Sequence, residues 1–430
     1  MLRTVRRPRA LRGSLTPPGN KSISHRAAIF NGIADGSAIV ENFLPSADCL
    51  ATLRCMRRLG VGWRRPDELT LEVEGAGKQG LKEPEAALDC ANSGTTMRLL
   101  VGVLAAQPFL SILTGDGSLR SRPMARVIDP LEQMGARIWS RREGRAPLAL
   151  QGTSLRGIRY GMPVASAQVK SAIILAGLYA EGETVVEEPG PTRDHTERML
   201  QEMGADIRFG EGPVVRVKQL RGELKPLSLR VPGDISAAAP WLVLAVAHPD
   251  AELRLADVGV NPTRTGIIDI LISMGAQIEI ENERRWGGEP VADIVVRSGS
   301  LCGTIVEGHL VPRSIDELPL VALAVCLAEG ETVIREAQEL RVKESDRVRT
   351  TADGLRRLGA RVDEMPDGLI VKGPQRLSGS RVYSRGDHRQ AMMLAVAGCL
   401  ADGETTIHKA ESVAVSYPWF WNHLQVISVD

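Results

Sequence analysis

A chain of 430 residues, 43% of them hydrophobic, is long enough for more than one core, since domains usually run to ~100–200 residues. Lys and Arg number 53 against 52 Asp and Glu, and aromatic residues make up only 3%. That balance leaves neither the field nor the stacking platforms that broad contact with nucleic acid or an anionic membrane requires, so any basic site must be local.

Read from the N-terminus, MLRTVRRPRALRG is basic but lacks the ~7–15-residue apolar stretch of a secretory signal. No run approaches the ~18 consecutive apolar residues of a membrane span. The expectation is a cytoplasmic protein that does not enter a membrane. LRGSL predicts a strand, and Thr16, Pro17, Pro18 and Gly19 form a stiff segment suited to a crossover.

A unit then recurs six times, roughly seventy residues apart, each copy opening with a polar cluster at the start of an apolar helix. The openings are PPGNKSISHRAA at Asn20, CANSGTTMRLL at Asn92, VASAQVKSAII at Ser166, VPGDISAAAPW at Asp234, RSIDELPLVAL at Asp316 and RGDHRQAMMLA at Asp387. A small turn follows each helix, as in ADGS at Ala34 and AEGE at Ala180 and Ala328, and then a strand such as TVVEE or TTIHK. A second helix ends at a Gly in MRRLG, LEQMG, LQEMG, LISMG and LRRLG, suited to a left-handed C-terminal cap. Alternating strands such as PLALQG and GLIVKG close each copy.

Each copy therefore reads strand, helix, strand, helix, strand, strand, with the sixth cut short at LQVISVD. Three copies per domain is the natural division. Pro232 and Gly233 before the fourth opening match the Pro-Gly pair before the first. The expected organisation is a discontinuous domain of residues 1–16 plus 233–430, holding the N-terminal strand and repeats 4–6, and an inserted domain of residues 17–232, holding repeats 1–3. The two crossing strands would act as a hinge. The six cysteines show no CxxC or Cys/His ligand spacing and fall mostly in apolar helical contexts, which predicts buried reduced thiols.

Helix N-termini present unpaired N–H groups and about half a positive charge, so six starts facing a gap between the domains would favour an anionic ligand. Taken singly, an Asn, Ser or Asp at such a place is a helix cap worth ~1 kcal/mol. Caps do not account for the cations that accompany them. The first opening carries Lys21, Ser22, His25 and Arg26, the last carries Arg389, and the loops carry Arg120 and Arg122 in RSRP, Arg193 in TRD, and Lys343, Glu344, Arg347 and Arg349 in RVKESDRVR. Arg grips carboxylate and phosphate with a planar fork while Lys acts as a mobile point charge. Acid and base groups together in KESDR suggest proton transfer beside the anion clamp.

PGNKSISHR, NSGTTMR, SRPM, SAQVKSA, TRDHTE, IDELP, LRVKESDR, GDHRQAM and SYP occur in order along nearly the whole chain. This set resembles the enolpyruvyl transferase family, in its class II-like branch of shikimate 3-phosphate enzymes. The resemblance implies an α/β fold of two domains, each of three βαβαββ repeats, joined by two crossover strands with the active site in the cleft. It implies transfer of the enolpyruvyl group of phosphoenolpyruvate to the 5-hydroxyl of shikimate 3-phosphate by addition and elimination, with no metal or organic cofactor, in the shikimate route to chorismate and the aromatic amino acids. The family default is a monomer whose only partners are these small molecules.

Roles carry over where residues match. Shikimate 3-phosphate would be held by Lys21, Ser22, Arg26, Ser166, Ala167, Gln168, Arg193, Asp316 and Lys343. Phosphoenolpyruvate would be clamped by Lys21, Gly94, Arg122, Gln168, Arg347 and Arg389. Asp316 would be the base for the 5-hydroxyl, with Glu344 and Lys21 as proton donors. Gly94 would let the ligand approach a helix N-terminus closely. Ala167 stands where some members have a second Ser, and Val415 where some have a Lys, which puts those two contacts in doubt. The sister enzyme acting on UDP-N-acetylglucosamine typically uses a loop Cys, and GDGSLRSRPM has none. A repeat-built binding protein without activity would be expected to have lost Asp316 or Glu344, and both are present.

Overall fold

The computed structural model describes residues 1–429, so Asp430, the last residue of the expected discontinuous domain, lies outside the described residues. The chain forms two compact units. One contains Met1–Pro18, Pro232–Arg285 and the chain from Pro290 onward; the other contains Gly19–Val231 with the short tip Trp286–Glu289. Each has its own apolar core.

Four of the six repeats build a four-stranded sheet with the same order, a parallel pair and then two antiparallel strands; the fourth repeat's sheet gains a fifth strand, Ser428–Val429, on Ala10–Leu15, and the sixth's has three strands. In the second repeat, Leu110–Thr114 lies parallel to Leu88–Asp89 and antiparallel to Arg145–Gln151, which pairs with Arg137–Arg141. The third and fifth repeats reproduce this around Glu183–Glu187 and Gly330–Ile334. The first repeat takes its opening strand from the far end of its unit, where Leu229–Arg230 runs parallel to Asp35–Glu41. The fourth takes its opening strand from the N-terminus, where Ala10–Leu15 runs parallel to Ala251–Gly259. In the truncated sixth, Arg381–Tyr383 pairs parallel with Thr405–His408, and Leu2–Val5 supplies the antiparallel neighbour.

The first helix of each repeat is largely buried, and most are apolar nearly all round, the polar Lys21–Gly32 being the exception. Ile235–Ala247 and His388–Leu400 are buried through almost their whole length. The second helices keep a wet face and end alike. Gly60, Gly135, Gly204, Gly275 and Gly359 all adopt positive φ. In each case the next residue's N–H reaches back to the carbonyl five residues earlier, as Val61 does to Met56 and Ala360 to Leu355. This is the Schellman closure that a Gly at that place permits without a Cβ penalty.

Gly102 has a different use. A Cβ there would lie 2.4 Å from the carbonyl oxygen of Ala172. Its absence lets the helices Gly94–Leu104 and Ala167–Gly177 pack backbone to backbone, and the side chains at their N-terminal ends, Arg98 and Gln168, consequently meet.

Candidate active site

Four of the six openings are capped by the expected residue. Asn20, Ser166, Asp234 and Asp387 accept from N–H groups two or three residues on. The other two differ. Ser93, not Asn92, caps Gly94–Leu104, because its hydroxyl sits three residues before the N–H of Thr96. Asp316 is not the N-cap: the helix Leu318–Cys326 begins at Glu317, which makes no side-chain cap. Both side chains are thereby available for other contacts.

In the unit built around Gly19–Val231, Lys21 opens the helix Lys21–Gly32, and its Nζ lies 3.2 Å from Asp48 Oδ2. One turn on, Arg26 is buried and fixed on three sides: Nε donates to Thr196 Oγ1 (2.7 Å), Nη2 to Ser171 Oγ (2.8 Å) and Nη1 to the Ser22 carbonyl (3.0 Å). Burial lowers its pKa to about 10, Glu197 works the other way, and the nearby Arg193 adds to the lowering. Two cations held close together favour an anion between them. His25 does not belong with the cations: it is fully buried, hydrogen-bonded to Thr52 Oγ1 at 2.7 Å, and burial pushes its pKa down to about 3, so it is neutral at pH 7.

Beside this cluster lies a second one. Arg98 Nη1 donates to Gln168 Oε1 (2.6 Å), and Gln168 Nε2 donates to Thr95 Oγ1 (2.8 Å). Arg122 Nη2 donates to Asn92 Oδ1 (2.8 Å), and the Asn92 amide donates to Asp116 Oδ2 (2.7 Å). A Cβ on Gly94 would come 2.6 Å from Arg98 Nη1 and 3.5 Å from Arg122 Nη1. Gly94 thus lies between two guanidinium groups at a helix start. Ser166 and Ala167 begin the neighbouring helix, the Ala167 carbonyl accepting from Ser171 Oγ at 2.6 Å.

The other unit gathers acids around one buried arginine. Arg347 opens the helix Arg347–Arg357 and is 1% exposed. Its Nη1 meets Asp316 Oδ1 at 3.0 Å, its Nη2 Glu344 Oε2 at 2.7 Å, and its Nε Asp387 Oδ2 at 2.9 Å. Burial opposes its charge, but Asp387, Glu344 and Asp316 more than offset that and raise its pKa above the ordinary value. Burial likewise pushes the Asp387 carboxyl up, and Arg347 and His388 bring it below the usual carboxylate range. Lys343 ends the short 3-10 turn Gln338–Val342 just before Glu344. Arg389 is buried; its Nη1 donates to the Ser236 carbonyl at 3.0 Å, and its Nε has no hydrogen-bond partner among the described residues.

Sequence reasoning missed Arg98, Lys170 and Arg264. Arg98 was legible, since NSGTTMR places it four residues after Gly94 on one helix face. Lys170, inside SAQVKSA, is buried against Glu188 and Glu197, each at 2.7 Å. Of the cysteines, five are buried and Cys302 is exposed, a departure from the expected burial that follows from its place in the loop before Ile305.

Chemically, one unit offers paired cations at helix starts, suited to phosphate and carboxylate groups. The other offers three carboxylates on a shared guanidinium, of which Asp316 and Glu344 are the more exposed pair and suited to moving protons. Residues 5–424 match the model of the family EPSP synthase (3-phosphoshikimate 1-carboxyvinyltransferase). A 3-phosphoshikimate 1-carboxyvinyltransferase of Roseiflexus castenholzii is 54% identical over 431 residues, covering 99% of this chain and 100% of the relative. That of Herpetosiphon aurantiacus is 51% identical over 425 residues, covering 98% of each. A solved structure of EPSP synthase from Acinetobacter baumannii superposes with a TM-score of 0.90 at 45% identity, covering 100% of this chain and 98% of that one.

Proposed function

The chain belongs to the EPSP synthase family, the 3-phosphoshikimate 1-carboxyvinyltransferases, and from that premise we propose how its residues share the work of the reaction. The enzyme transfers the enolpyruvyl group of phosphoenolpyruvate to the 5-hydroxyl of shikimate 3-phosphate and releases phosphate, within aromatic amino-acid biosynthesis. Its two steps are an addition and an elimination, and both need a proton moved at a defined atom.

The sugar phosphate is held by Lys21, Ser22, Arg26, Ser166, Gln168, Arg193 and Lys343, with Ala167 contributing backbone only. The fixed fork of Arg26 and the neighbouring charge of Arg193 support this assignment. Phosphoenolpyruvate is held by Lys21, Gly94, Arg122, Gln168, Arg347 and Arg389. Arg98 joins this set through its bond to Gln168. Asp316 takes the proton of the 5-hydroxyl as that oxygen bonds to the central carbon of the enol. Glu344, assisted by Lys21, protonates the methylene carbon. In the elimination the carbon–oxygen bond to phosphate breaks, and the methyl group returns a proton to restore the double bond.

The observation that carries this reading is the sharing of Arg347. A single buried guanidinium holds Asp316 and Glu344 at 3.0 and 2.7 Å. When a substrate carboxylate takes a place on Arg347, Glu344 loses part of its counter-charge beside a new negative group, and its affinity for a proton rises. The ligand thereby prepares the acid that acts on it.

The enzyme works on these small molecules as a monomer in the cytoplasm. Free cysteines, five of them buried, suit a reducing compartment, and among the described residues no helix is long and apolar enough to cross a membrane. The test is phosphate release from phosphoenolpyruvate with shikimate 3-phosphate, run beside phosphoenolpyruvate with UDP-N-acetylglucosamine. Release with the shikimate compound alone is expected; release with the nucleotide sugar alone would overturn the substrate assignment. Light scattering on the eluting protein checks the monomer.

A further inference from the structure

A buried cluster in the acid-bearing unit touches two of the assigned residues without belonging to either substrate's contact set. Arg264 lies in the turn NPTRTG, whose form is set locally: its N–H donates to the Asn261 carbonyl at 2.8 Å, and Asn261 Oδ1 accepts from the N–H and hydroxyl of Thr263 at 2.9 and 2.8 Å. Arg264 itself is 3% exposed. Its Nη2 donates to Ser236 Oγ and stands 3.5 Å from Glu317 Oε1 and 3.9 Å from Asp234 Oδ1. Its Nη1 stands 3.9 Å from Asp316 Oδ2. Ser236 Oγ in turn donates to Glu317 Oε1.

Each link leads to a residue with an assigned task. Glu317 is joined by a peptide bond to Asp316. Ser236 carries the carbonyl that accepts from Arg389 Nη1. The Asp316 carboxylate faces two guanidinium groups, Arg347 Nη1 at 3.0 Å on one oxygen and Arg264 Nη1 at 3.9 Å on the other. A buried ion pair is weak evidence for stability, because its desolvation offsets much of its attraction. The cluster therefore calls for another reason, and its geometry supplies one.

We infer that Arg264, braced by Glu317 and Ser236, is a positioning residue for the transfer: it aims Asp316 at the 5-hydroxyl and sets the place of Arg389. The inference rests on the assignment of Asp316 as base. A carboxylate swung by about 1 Å from its acceptor position loses on the order of 100-fold in rate, which sets the size of the expected effect.

The experiment compares Arg264→Gln, Arg264→Lys, Ser236→Ala, Asp316→Asn and the double variant Arg264→Gln/Asp316→Asn in the full-length enzyme. Calorimetric binding of shikimate 3-phosphate to each variant shows that the fold persists. Arg264→Gln should lose about 100-fold in kcat and also raise KM for phosphoenolpyruvate through Arg389. Arg264→Lys keeps the charge without the fork and should recover part of the kcat. Ser236→Ala removes the hydroxyl that braces Arg264 and ties it to the residue whose carbonyl serves Arg389, so its kcat should fall and its KM for phosphoenolpyruvate should rise, each by less than in Arg264→Gln. The double variant should turn over no more slowly than Asp316→Asn alone, because a residue acting through Asp316 has nothing left to aim. Wild-type kcat in Arg264→Gln, with Asp316→Asn inactive, overturns the inference alone. Full turnover in Asp316→Asn overturns the base assignment and this inference with it.

Discussion

Replacing Gly94 by Ala perturbs the phosphoenolpyruvate side of the site through one contact. The added Cβ would lie 2.6 Å from Arg98 Nη1, whereas ordinary contact begins at 3.4 Å, so the guanidinium must retreat by about 0.8 Å. The bond at stake is the 2.6 Å link from Arg98 to Gln168. Arg98 and Gln168 are both assigned to the phosphoenolpyruvate clamp, and each hydrogen bond that a displaced charged group fails to make to the ligand is worth ~1.5–3 kcal/mol, equivalent to ~10- to 150-fold in affinity. The moving atom is the far end of a flexible side chain, so the fold itself should change by less than about 1 kcal/mol. Steady-state phosphate release at saturating shikimate 3-phosphate, with phosphoenolpyruvate varied, should therefore show KM for phosphoenolpyruvate raised at least tenfold at nearly constant melting temperature. A KM within twofold of the wild type would refute this account of Gly94, and so would a loss of kcat that tracks a fall in melting temperature.

Two further perturbations report on the frame beneath the site. Lys170→Met leaves Glu188 and Glu197 buried without their shared lysine, and urea unfolding should show a loss of ~3–5 kcal/mol; a loss under about 1 kcal/mol would mean the pair is dispensable. His25 has a pKa of about 3 in the folded chain against about 6.5 for an ordinary imidazole. The unfolded chain therefore binds the extra proton between those values, so the contribution of His25 is complete above about pH 6.5 and is lost as pH falls, by ~1.4 kcal/mol per unit. Urea unfolding at pH 6.5 and 4.5 should show about 2 kcal/mol less pH-dependent loss in His25→Gln than in the wild type, and equal slopes would contradict the buried neutral imidazole.

Much of the fold was legible because its signals are local. The five glycines that end the second helices were identifiable by position, and each takes the left-handed cap its place in the repeat requires. The strand at Ala10–Leu15 was also readable from pattern. Leu2–Val5 and Leu229–Arg230 were not, because each completes a sheet begun far away in the chain, and four or two residues carry no period of their own. The site shows the same division. Cation and carboxylate types in fixed motifs pointed to anion binding and proton transfer. The sequence could not show that Ser93 rather than Asn92 is the cap, that burial keeps His25 neutral, or that Arg347 serves three carboxylates at once. Those facts depend on which side chains the packing of separate helices brings together, and Arg264, from a turn with no charge pattern to mark it, is the clearest instance.

The most direct test of the central claim is the turnover of Asp316→Asn with both substrates bound. The amide keeps the size of the side chain but cannot take the hydroxyl proton. Binding of shikimate 3-phosphate and phosphoenolpyruvate should stay within a few-fold of the wild type while single-turnover transfer falls by ~10²–10⁴-fold. Near-normal transfer in that variant would contradict the assignment of Asp316 and the division of labour built on it.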